Sequence, residues 1–320
     1  MIIRRHFIAA GSAASLISAS GLRAREQPST GPMQQAPAHY RIPVGETMIT
    51  ALCDGYLDLP HALFPAATDE RAGELARKAF LRPGPIPTAV NAFALESGDR
   101  LVLIDAGVGP LRGESTGRLR QEMQLASLDP ARVSAVLLTH LHTDHCGGLL
   151  DATGERAFPN AEVFVSEPEL RFWTDGGLPS RAPEAMQPMI RIANAVLRAY
   201  GNRVTSFGPG AEPISGIRSV PIFGHTPGHT GFIIGSGDDA VFIWGDVVHV
   251  APFQFAQPEW GLSFDVDQAA ASATRRRIFA QVASDRMRIA GMHLAFPGVG
   301  HVVRDTTSYH YVPSPWRPLG

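Results

Sequence analysis

Four side chains of the kinds that bind metal ions fall within six residues of this sequence, in the segment His-Leu-His-Thr-Asp-His at 140–145. Imidazole nitrogens and carboxylate oxygens are good ligands for zinc and similar divalent ions. His140 and His142 are two residues apart, so in extended chain both side chains can face one ion. Asp144 and His145 follow a change of direction and can face a second ion. A solvated loop that is rich in histidine by chance is the alternative, and the density of ligand types argues against it.

Three later segments supply further candidate ligands, each of which is weak evidence alone. Gly-His-Thr-Pro-Gly-His-Thr at 224–230 is a turn that carries two histidines. Trp-Gly-Asp at 244–246 places a carboxylate at the end of an apolar stretch, and Gly-Met-His at 291–293 places a histidine after another. A histidine or aspartate at a strand end is often only a hydrogen-bonded polar residue. Together, however, these segments complete a set sufficient for two ions and one bridging carboxylate.

The candidate ligands follow segments that have the pattern of β-strands. Short apolar, β-branched runs predict strands at 48–52, 90–95, 101–104, 133–139, 162–166, 217–222, 232–234, 241–244 and 289–293. The Ser-Gly-Asp at 97–99 has the chemistry of a hairpin turn. Helical periodicity predicts helices at 116–126, 167–173, 183–200 and 267–283, the last with Asp267 as its N-cap. Strands that alternate with helices predict one α/β domain, with the order of the sheet left open.

Composition sets limits on the class of protein. The chain has 320 residues, of which 44% are hydrophobic and 18% charged, so it can bury a large core. A net charge of −2 without a basic run makes nucleic acid or an anionic membrane surface an unexpected partner. The two cysteines, Cys53 and Cys146, are too few for a disulfide framework and are expected to be small buried apolar residues.

The N-terminal stretch has the features of an export signal. Arg4 and Arg5 precede an apolar run at 7–22 that is rich in small residues and too short for a stable membrane span. We therefore expect a twin-arginine-type signal peptide at 1–24, a flexible leader at 25–39, and a mature protein that is periplasmic or secreted. An unstructured N-terminus with a chance arginine pair is the alternative.

The order of the motifs resembles that of the metallo-β-lactamase superfamily, and most closely its methyl parathion hydrolase group and related lactonases. The resemblance rests on the segments at 49–55, 90–92, 101–107, 224–230 and 293–301, and it extends from about residue 40 to residue 313. It implies a hydrolase domain at 40–320 with an α/β fold of four αββα layers. In that fold the metals lie at one edge of the two sheets.

The resemblance also implies roles for individual residues around two divalent ions, for which zinc is expected. One ion would be bound by His140, His142 and His229, the other by Asp144, His145 and His293, with Asp246 bridging them. Asp105 would orient a ligand imidazole, although a plain strand-end cap is the alternative reading of this residue. His225 would support the site without binding metal. His301 follows the Phe-Pro-Gly turn and competes with His293 for the last ligand position, but His293 is preferred, so His301 too would support the site.

The reaction that the resemblance implies is hydrolysis of organophosphate triesters by a hydroxide that bridges the two ions. Hydrolysis of lactones or aryl esters, with phosphotriesters as promiscuous substrates, is the alternative. Asp246, Asp144 and His249 are the catalytic candidates, and no Gly-x-Ser-x-Gly nucleophile segment is present. Two ions that share a water lower its pKa to about 7, so no side-chain nucleophile is needed.

The choice of substrate depends on residues that the resemblance fixes less well. His249 stands where related lactonases often carry tyrosine and methyl parathion hydrolase is apolar, so it is either a polar group at the reaction centre or a wall residue. Trp173 and Leu262 are expected to line the pocket, together with 189–190. Arg112 stands where the close relative has an aromatic residue, which argues against a strictly aromatic pocket.

The expected partner is a small-molecule ester, lactone or phosphotriester, and the resemblance implies a homodimer. A single-iron oxidase of the same fold is disfavoured because the second ligand set, Asp144, His145 and His293, is complete. A non-catalytic metal-binding module is disfavoured because ions with open coordination positions would lie beside a pocket.

Overall fold

The computed structural model describes residues 35–111 and 113–319. The described residues from Pro37 onward form one compact unit. The signal peptide expected at 1–24 and most of the expected leader lie outside the described residues. No helix in the described part of the chain is long and apolar enough to cross a membrane.

The first sheet has seven strands that lie side by side in the order of the sequence. They are β1 (His39–Val44), β2 (Thr47–Leu59), β3 (Ile86–Ser97), β4 (Arg100–Ile104), β5 (Val133–Leu137), β6 (Glu162–Ser166) and β7 (Val204–Phe207). The first four strands pair in antiparallel fashion, and β4 to β7 are parallel. The predicted hairpin is present between β3 and β4, where Gly98 adopts a φ of 58° that favours glycine.

The second sheet has six strands, in the spatial order β13-β12-β11-β10-β9-β8. They are β8 (Ile217–Pro221), β9 (Thr230–Ile234), β10 (Val241–Ile243), β11 (Arg288–Ala290), β12 (Val299–Arg304) and β13 (Tyr309–Pro313). The β10–β11 pair is parallel, and all the other pairs are antiparallel. The chain crosses from β10 to β11 through a long helix, as a parallel connection requires.

Eight α-helices cover the sheets and connect them within the described residues. They are α1 (Asp69–Lys78), α2 (Leu119–Leu125), α3 (Thr143–Cys146), α4 (Glu167–Trp173), α5 (Leu178–Arg181), α6 (Gln187–Tyr200), α7 (Ala251–Gln254) and α8 (Gln268–Ser284). Asp267 caps α8 as predicted, since its side chain accepts a hydrogen bond from the N–H of Ala270 at 2.9 Å.

The sheets stack between two layers of helices, which gives the expected α/β fold of four αββα layers. Side chains alternate along β3, so that Ala92 and Ala94 face the helices while Phe93 and Leu95 face the second sheet. Helices α2, α4 and α6 contribute to the first of these cores. Helix α8 packs on the outer face of the second sheet, and its Phe279 lies in a third apolar cluster.

All nine predicted strands and all four predicted helices are present, but two of the strands end two or three residues earlier than expected. β5 ends at Leu137, and the N–H of Thr139 bonds the Asp105 carboxylate instead of a neighbouring strand. β11 ends at Ala290, so His293 does not close a strand but lies in the turn that follows it. Strands β1, β7, β12 and β13 and helices α1, α3, α5 and α7 were not predicted, because they are short or only partly buried at the edges of the core.

Candidate metal centre

The segment at 140–145 leaves the first sheet at the carboxyl end of β5. Leu141 is fully buried in the core beneath the helices, so the alternation of an extended chain turns His140 and His142 to the opposite side. The one-turn helix α3 begins directly afterwards and carries Asp144 and His145. The four candidate ligands of this segment therefore reach the site from two differently oriented pieces of backbone.

The buried Asp246 carboxylate lies between two groups of imidazoles. Its Oδ2 atom is 3.6 Å from His140 Nε2 and 3.2 Å from His225 Nε2. Its Oδ1 atom is 3.2 Å from the Nε2 atoms of both His145 and His293. Each carboxylate oxygen thus faces its own group of nitrogens, which is the geometry of a bridging ligand.

The described residues contain groups of side chains whose ligand atoms all lie within 4.8 Å of one another. These groups are His140, His142, His225 and Asp246; Asp144, His145 and His293; and Asp246, His249 and His293. The first two groups are the two halves of the predicted centre, except that His225 takes the place expected for His229. The third overlaps both and brings His249 to the same point.

The unpaired polar atoms of the centre show that its residues fit two divalent ions. The Nε2 atoms of His140, His145 and His293 and the Oδ1 atom of Asp246 are buried without a hydrogen-bond partner. A buried polar atom without a partner destabilises a fold by about 1–3 kcal/mol. Coordination to two ions of the zinc type would satisfy all of these atoms with the ligands that such ions prefer.

The structure differs from the expected roles of His225 and His229. Both ring nitrogens of His229 are engaged, since Nδ1 lies 3.2 Å from the carbonyl oxygen of Ile222 and Nε2 accepts the N–H of Asp246 at 2.9 Å. His225 Nε2 instead lies 2.9 Å from His142 Nδ1, inside the first ligand group. His229 therefore supports the backbone of the bridging aspartate, and His225 is the residue in position to bind metal.

The nitrogens of three candidate ligands that point away from the centre have oxygen partners. Asp105 Oδ2 lies 2.7 Å from His145 Nδ1, as expected of a residue that orients an imidazole. Asp265 Oδ1 lies 2.7 Å from His225 Nδ1, a partner that the sequence did not indicate. His293 Nδ1 donates to the carbonyl oxygen of Ala89 at 2.8 Å. These contacts fix the orientation of the rings.

Glu169 is a buried carboxylate that ties two ligand-bearing loops together, and the sequence analysis missed it. Its Oε1 accepts hydrogen bonds from the N–H of Leu141 at 2.9 Å and from the indole of Trp173 at 2.6 Å. Its Oε2 accepts the hydroxyl of Thr226 at 2.6 Å and the N–H of Gly228 at 3.0 Å. The pKa of Glu169 is raised overall, because the effect of burial is larger than the opposing effect of these hydrogen bonds. Its only sequence signal was an acidic residue on the inner side of a predicted helix.

Asn91 on β3 positions the turn that carries His293. Its side-chain amide donates to the carbonyl oxygens of Gly291 at 3.2 Å and Leu294 at 2.8 Å. Its backbone N–H donates to Met292 at 2.8 Å. The first sheet therefore binds a loop of the second sheet through hydrogen bonds on both sides of His293.

His301 does not support the centre as expected. It lies on β12, half-buried, and lines a surface cleft with Arg288 and Val299. Burial and the nearby Arg288 lower its pKa. The Phe-Pro-Gly turn thus separates His293, at the centre, from His301 on the outside of the sheet.

A cleft with an empty volume of about 600 Å³ opens onto the candidate ligands. Its floor includes Asp144, Asp246 and His293, and no lysine or arginine lies among its described lining residues. Apart from Thr143 and the histidines His142, His225 and His249, the rest of the wall is apolar and consists of Leu57, Leu59, Val108, Met189, Leu262 and Phe264. A neutral, largely apolar substrate suits such a wall better than an anionic one.

Of the other residues that were expected to line the pocket, only some do so. Leu262 lines the cleft, but Trp173 does not, because it is buried in the core with its ring edge-on to His142 at 5.6 Å. Trp173 therefore acts on the site through its hydrogen bond to Glu169. Arg112 lies outside the described residues.

His249 reaches the centre from the loop that follows β10. Its Nε2 lies 2.9 Å from Asp246 Oδ2, and its ring stacks on that of His293 with centroids 5.1 Å apart. Its backbone N–H donates to the buried side chain of Gln254 at 2.7 Å, which holds the loop. Burial lowers the pKa of His249 to about 4, so its imidazole is neutral at neutral pH and offers one N–H as a donor.

The charge states of His140, His142 and Asp246 suit metal binding. Burial lowers the pKa of His140 well below its ordinary value and that of His142 to about 3, so both are neutral, which is the form that binds metals. Burial alone would raise the pKa of Asp246, but His145 and His293 hold it well below the usual range. The bridging carboxylate is therefore ionised. Burial lowers the pKa of His225, but its contacts with Asp246 and Asp265 raise it to about 9, so an ion that binds His225 would displace a proton.

A sequence profile described as the metallo-beta-lactamase superfamily matches residues 85–293 of the chain. This span is more than half of the chain and contains both ligand groups. The chain belongs to the metallo-beta-lactamase superfamily.

Two solved structures are similar over nearly their whole length. The hydrolase AbOPH, of the beta lactamase superfamily, is 30% identical with a TM-score of 0.84, and the match covers 89% of this chain and 100% of that chain. AidC, a dizinc quorum-quenching lactonase in complex with a product N-hexnoyl-L-homoserine, is 26% identical with a TM-score of 0.81, over 88% of this chain and 99% of that chain.

Among curated proteins, the uncharacterized protein YobT of Bacillus subtilis (strain 168) is 31% identical over 144 residues. The match covers 45% of this chain and 56% of that protein. The chain thus spans little more than half the length of this curated relative.

Proposed function

We propose that this protein is a dinuclear metal-dependent hydrolase of neutral carboxylic esters, with lactones as its main substrates. The observation that carries the proposal is the position of His249. It is a neutral donor 2.9 Å from the carboxylate that faces both ligand groups, at the floor of an apolar cleft.

The ligand groups define what the metals would contribute. His140, His142 and His225 would hold one ion, Asp144, His145 and His293 the other, and Asp246 both. Divalent ions at these positions supply Lewis-acid polarisation of an ester carbonyl and make water nucleophilic at neutral pH. Asp246, which is ionised and buried, would hold the two ions close together.

The chain's own residues favour a substrate with a poor leaving group. Opening a lactone develops negative charge on an alkoxide oxygen, which needs a hydrogen-bond donor more than a nitrophenolate does. His249 Nε2 lies 2.9 Å from Asp246 Oδ2 on the floor of the cleft, and its N–H would turn from that carboxylate to the developing alkoxide. The apolar wall around Leu57 and Leu262 excludes water there and so strengthens the hydrogen bond.

The comparisons support this choice in part. AidC is described as a dizinc lactonase, and the structural match to it covers 88% of this chain. The structural likeness to AbOPH is greater, but AbOPH is described only as a hydrolase. Lactonase activity of this chain is part of our proposal.

Phosphotriester hydrolysis is the second candidate, and the charge of the cleft favours it. Organophosphate triesters are neutral, and the described lining residues include no lysine or arginine that would select an anionic phosphate. Asp246 and the two ligand groups would serve attack at phosphorus as well as at carbon. His249 contributes least there, because an aryloxide leaves without a donor.

A substrate panel tests the proposal. The metal content of the purified protein is measured first, and kcat/KM is then measured on γ- and δ-lactones, 4-nitrophenyl acetate and a paraoxon-type triester. We expect two divalent ions per chain and lactones as the preferred substrates. A triester preference of several orders of magnitude would overturn the lactonase proposal, and one iron per chain would support the oxidase reading instead.

We also propose that the chain is exported through its twin-arginine segment. The test replaces Arg4 and Arg5 together by lysine in a bacterial host that has a working twin-arginine pathway. We expect the unchanged chain in the periplasmic fraction and the double variant in the cytoplasm. An equal distribution of the two would contradict export by this route.

A further inference from the structure

Arg275 on α8 is fully buried and does not line the metal cleft, and we infer that it is a positioning residue for His249. The inference rests on the proposed hydrolase function and adds to it a residue outside the cleft. Through hydrogen bonds to backbone carbonyl oxygens, Arg275 fixes the loop at 246–250 and thereby the place of the His249 imidazole beside Asp246.

The complete burial of Arg275 needs an explanation. Arginine is almost never fully buried unless it is paired, but the hydrogen-bond acceptors of Arg275 are three backbone carbonyl oxygens and not a carboxylate. Burial lowers the pKa of its guanidinium to about 10, although the charge of Asp265 opposes this, so the group is charged at neutral pH. An apolar side chain of similar volume would avoid the loss of hydration. The three hydrogen bonds therefore indicate what Arg275 contributes.

The three carbonyl oxygens belong to two segments beside the cleft. The Nε atom of Arg275 donates to the carbonyl oxygen of Val247 at 2.7 Å, one residue after the bridging aspartate. Its Nη1 atom donates to the carbonyl oxygens of Pro258 and Trp260, both at 2.9 Å. Two residues further along the chain, Leu262 lines the cleft. One guanidinium thus joins the loop of the bridging aspartate to the segment that leads to a wall residue.

A second path leads from Arg275 to His249 through Gln254. The carbonyl oxygen of Trp260, which accepts from Arg275, also accepts from Gln254 Nε2 at 3.1 Å. The Oε1 atom of Gln254 in turn accepts the backbone N–H of His249 at 2.7 Å and that of Val250 at 3.2 Å. Gln254 is fully buried as well. Arg275 therefore holds the loop at one point directly and at a second point through Gln254.

The position of this loop decides whether His249 can assist the reaction. The N–H groups of Asp246, His249 and Val250 bond to side chains and not to neighbouring backbone, and Asp246 has a non-helical φ of −99° and ψ of 37°. Buried side chains therefore set the course of the chain here. His249 Nε2 lies 2.9 Å from Asp246 Oδ2, and a displacement of about 1 Å can lower a rate by about 10²-fold.

Arg275→Lys tests the inference because it keeps the charge but not the planar group. A guanidinium reaches several carbonyl oxygens in fixed directions, which an ammonium group on a flexible stem does not. We expect kcat for γ-lactones to fall by about 10- to 100-fold, the usual effect of changing a residue that orients an active-site group, with KM and metal content little changed. The kcat/KM for a paraoxon-type triester should change little, because an aryloxide leaves without a donor.

Two further variants show whether the effect passes through the loop. Arg277→Lys makes the same change at an exposed position of α8 and should behave as the wild type. Gln254→Leu removes the second path and should show the same selective loss on lactones. The double variant Arg275→Lys with Gln254→Leu should be little slower than the slower single variant, because both act on one loop. Losses that multiply would contradict a shared path.

NMR signals of the His249 ring nitrogens separate this inference from the proposed function. They are observed in zinc-loaded protein with isotope-labelled histidine and assigned by their absence in His249→Leu. A change in the His249 signals of Arg275→Lys, with those of His145 and His293 unchanged, supports the inference even if no lactone is hydrolysed. Unchanged His249 signals, a change in all three rings, or an equal loss of kcat on lactone and triester overturns it and leaves the hydrolase standing.

Discussion

The metal cleft and the apolar cavity beside it, which Phe172, Leu178, Met186 and Val266 line, are built in different ways; we call them the metal end and the apolar end. At the metal end, the side chains come from strand ends and tight loops of both sheets, and His145, His225 and His293 each have an oxygen partner behind the ring. At the apolar end, the wall comes from the short helix α5 and the start of α6, with exposed residues such as Ala185 and Val266.

This difference indicates where the molecule tolerates substitution. The metal end tolerates little change, because the rings of His145, His225 and His293 are each held in one orientation by a buried carboxylate or carbonyl oxygen. The apolar end is held mostly by contacts without direction, so side chains there can change in volume at small cost. We therefore expect substitutions at the metal end to have large effects on activity and those at the apolar end to have small ones.

The largest effect should come from the residue that joins the two ligand groups. Asp246→Ala removes both bridging oxygens, and we expect kcat/KM to fall by at least about 10³-fold because several kcal/mol of charge stabilisation are lost. Metal content measured by mass spectrometry should fall as well. Asp238→Ala, at an exposed turn, is the control. Full activity of Asp246→Ala would refute the dinuclear centre.

A paired substitution of the two histidines in the 224–230 turn sharpens the comparison within the metal end. His225→Ala should reduce metal binding and lower kcat/KM by about 10²–10³-fold, because a group aimed at the reaction centre is lost. His229→Ala should keep two ions but lower the free energy of unfolding by about 1–3 kcal/mol, because the Asp246 N–H loses its acceptor. Metal analysis and chemical denaturation measure the two effects. Loss of metal in His229→Ala but not in His225→Ala would indicate that His229 is the ligand.

His249→Leu tests whether the donor at the floor of the cleft selects poor leaving groups. We expect kcat/KM for lactones to fall by about 10²-fold, the typical effect of losing one donor to a developing oxyanion. The kcat/KM for a paraoxon-type triester should stay unchanged or increase. An equal loss on both substrates would indicate a general structural role for His249.

Glu169→Gln should have the smallest effect of the four at the metal end, because it changes a residue behind the ligands. An amide cannot accept hydrogen bonds at both positions, so the loops at Leu141 and Gly228 lose part of their common anchor. We expect metal affinity to fall by about 10- to 100-fold in competition with a chelator. Glu167→Gln, exposed on the same helix, should behave as the wild type.

Much of the fold could be predicted from the sequence because its strands are buried on both faces. The run at 101–104 and the centre of the run at 162–166 are apolar or β-branched, and β4 and β6 have these bounds or nearly these bounds. Edge strands such as β13 were missed, since half-buried residues give no clear alternation. Glu169 was missed for a related reason: a carboxylate on a helix is usually exposed, and only packing shows that this one is buried.

The sequence by itself determined the kinds of ligand and most of their positions, because consecutive residues at a strand end share one local geometry. The sequence-based assignment chose His229 over His225 as the ligand, whereas the structure places His225 in the ligand group. The local sequence does not distinguish the two, since Gly-His-Thr occurs at both places. Tertiary packing decided, because Gly228 lies against the backbone of Glu169, where a Cβ would be only 2.1 Å from its nitrogen, and His229 lies beneath Asp246. The apolar cavity likewise exists only where segments distant in sequence meet.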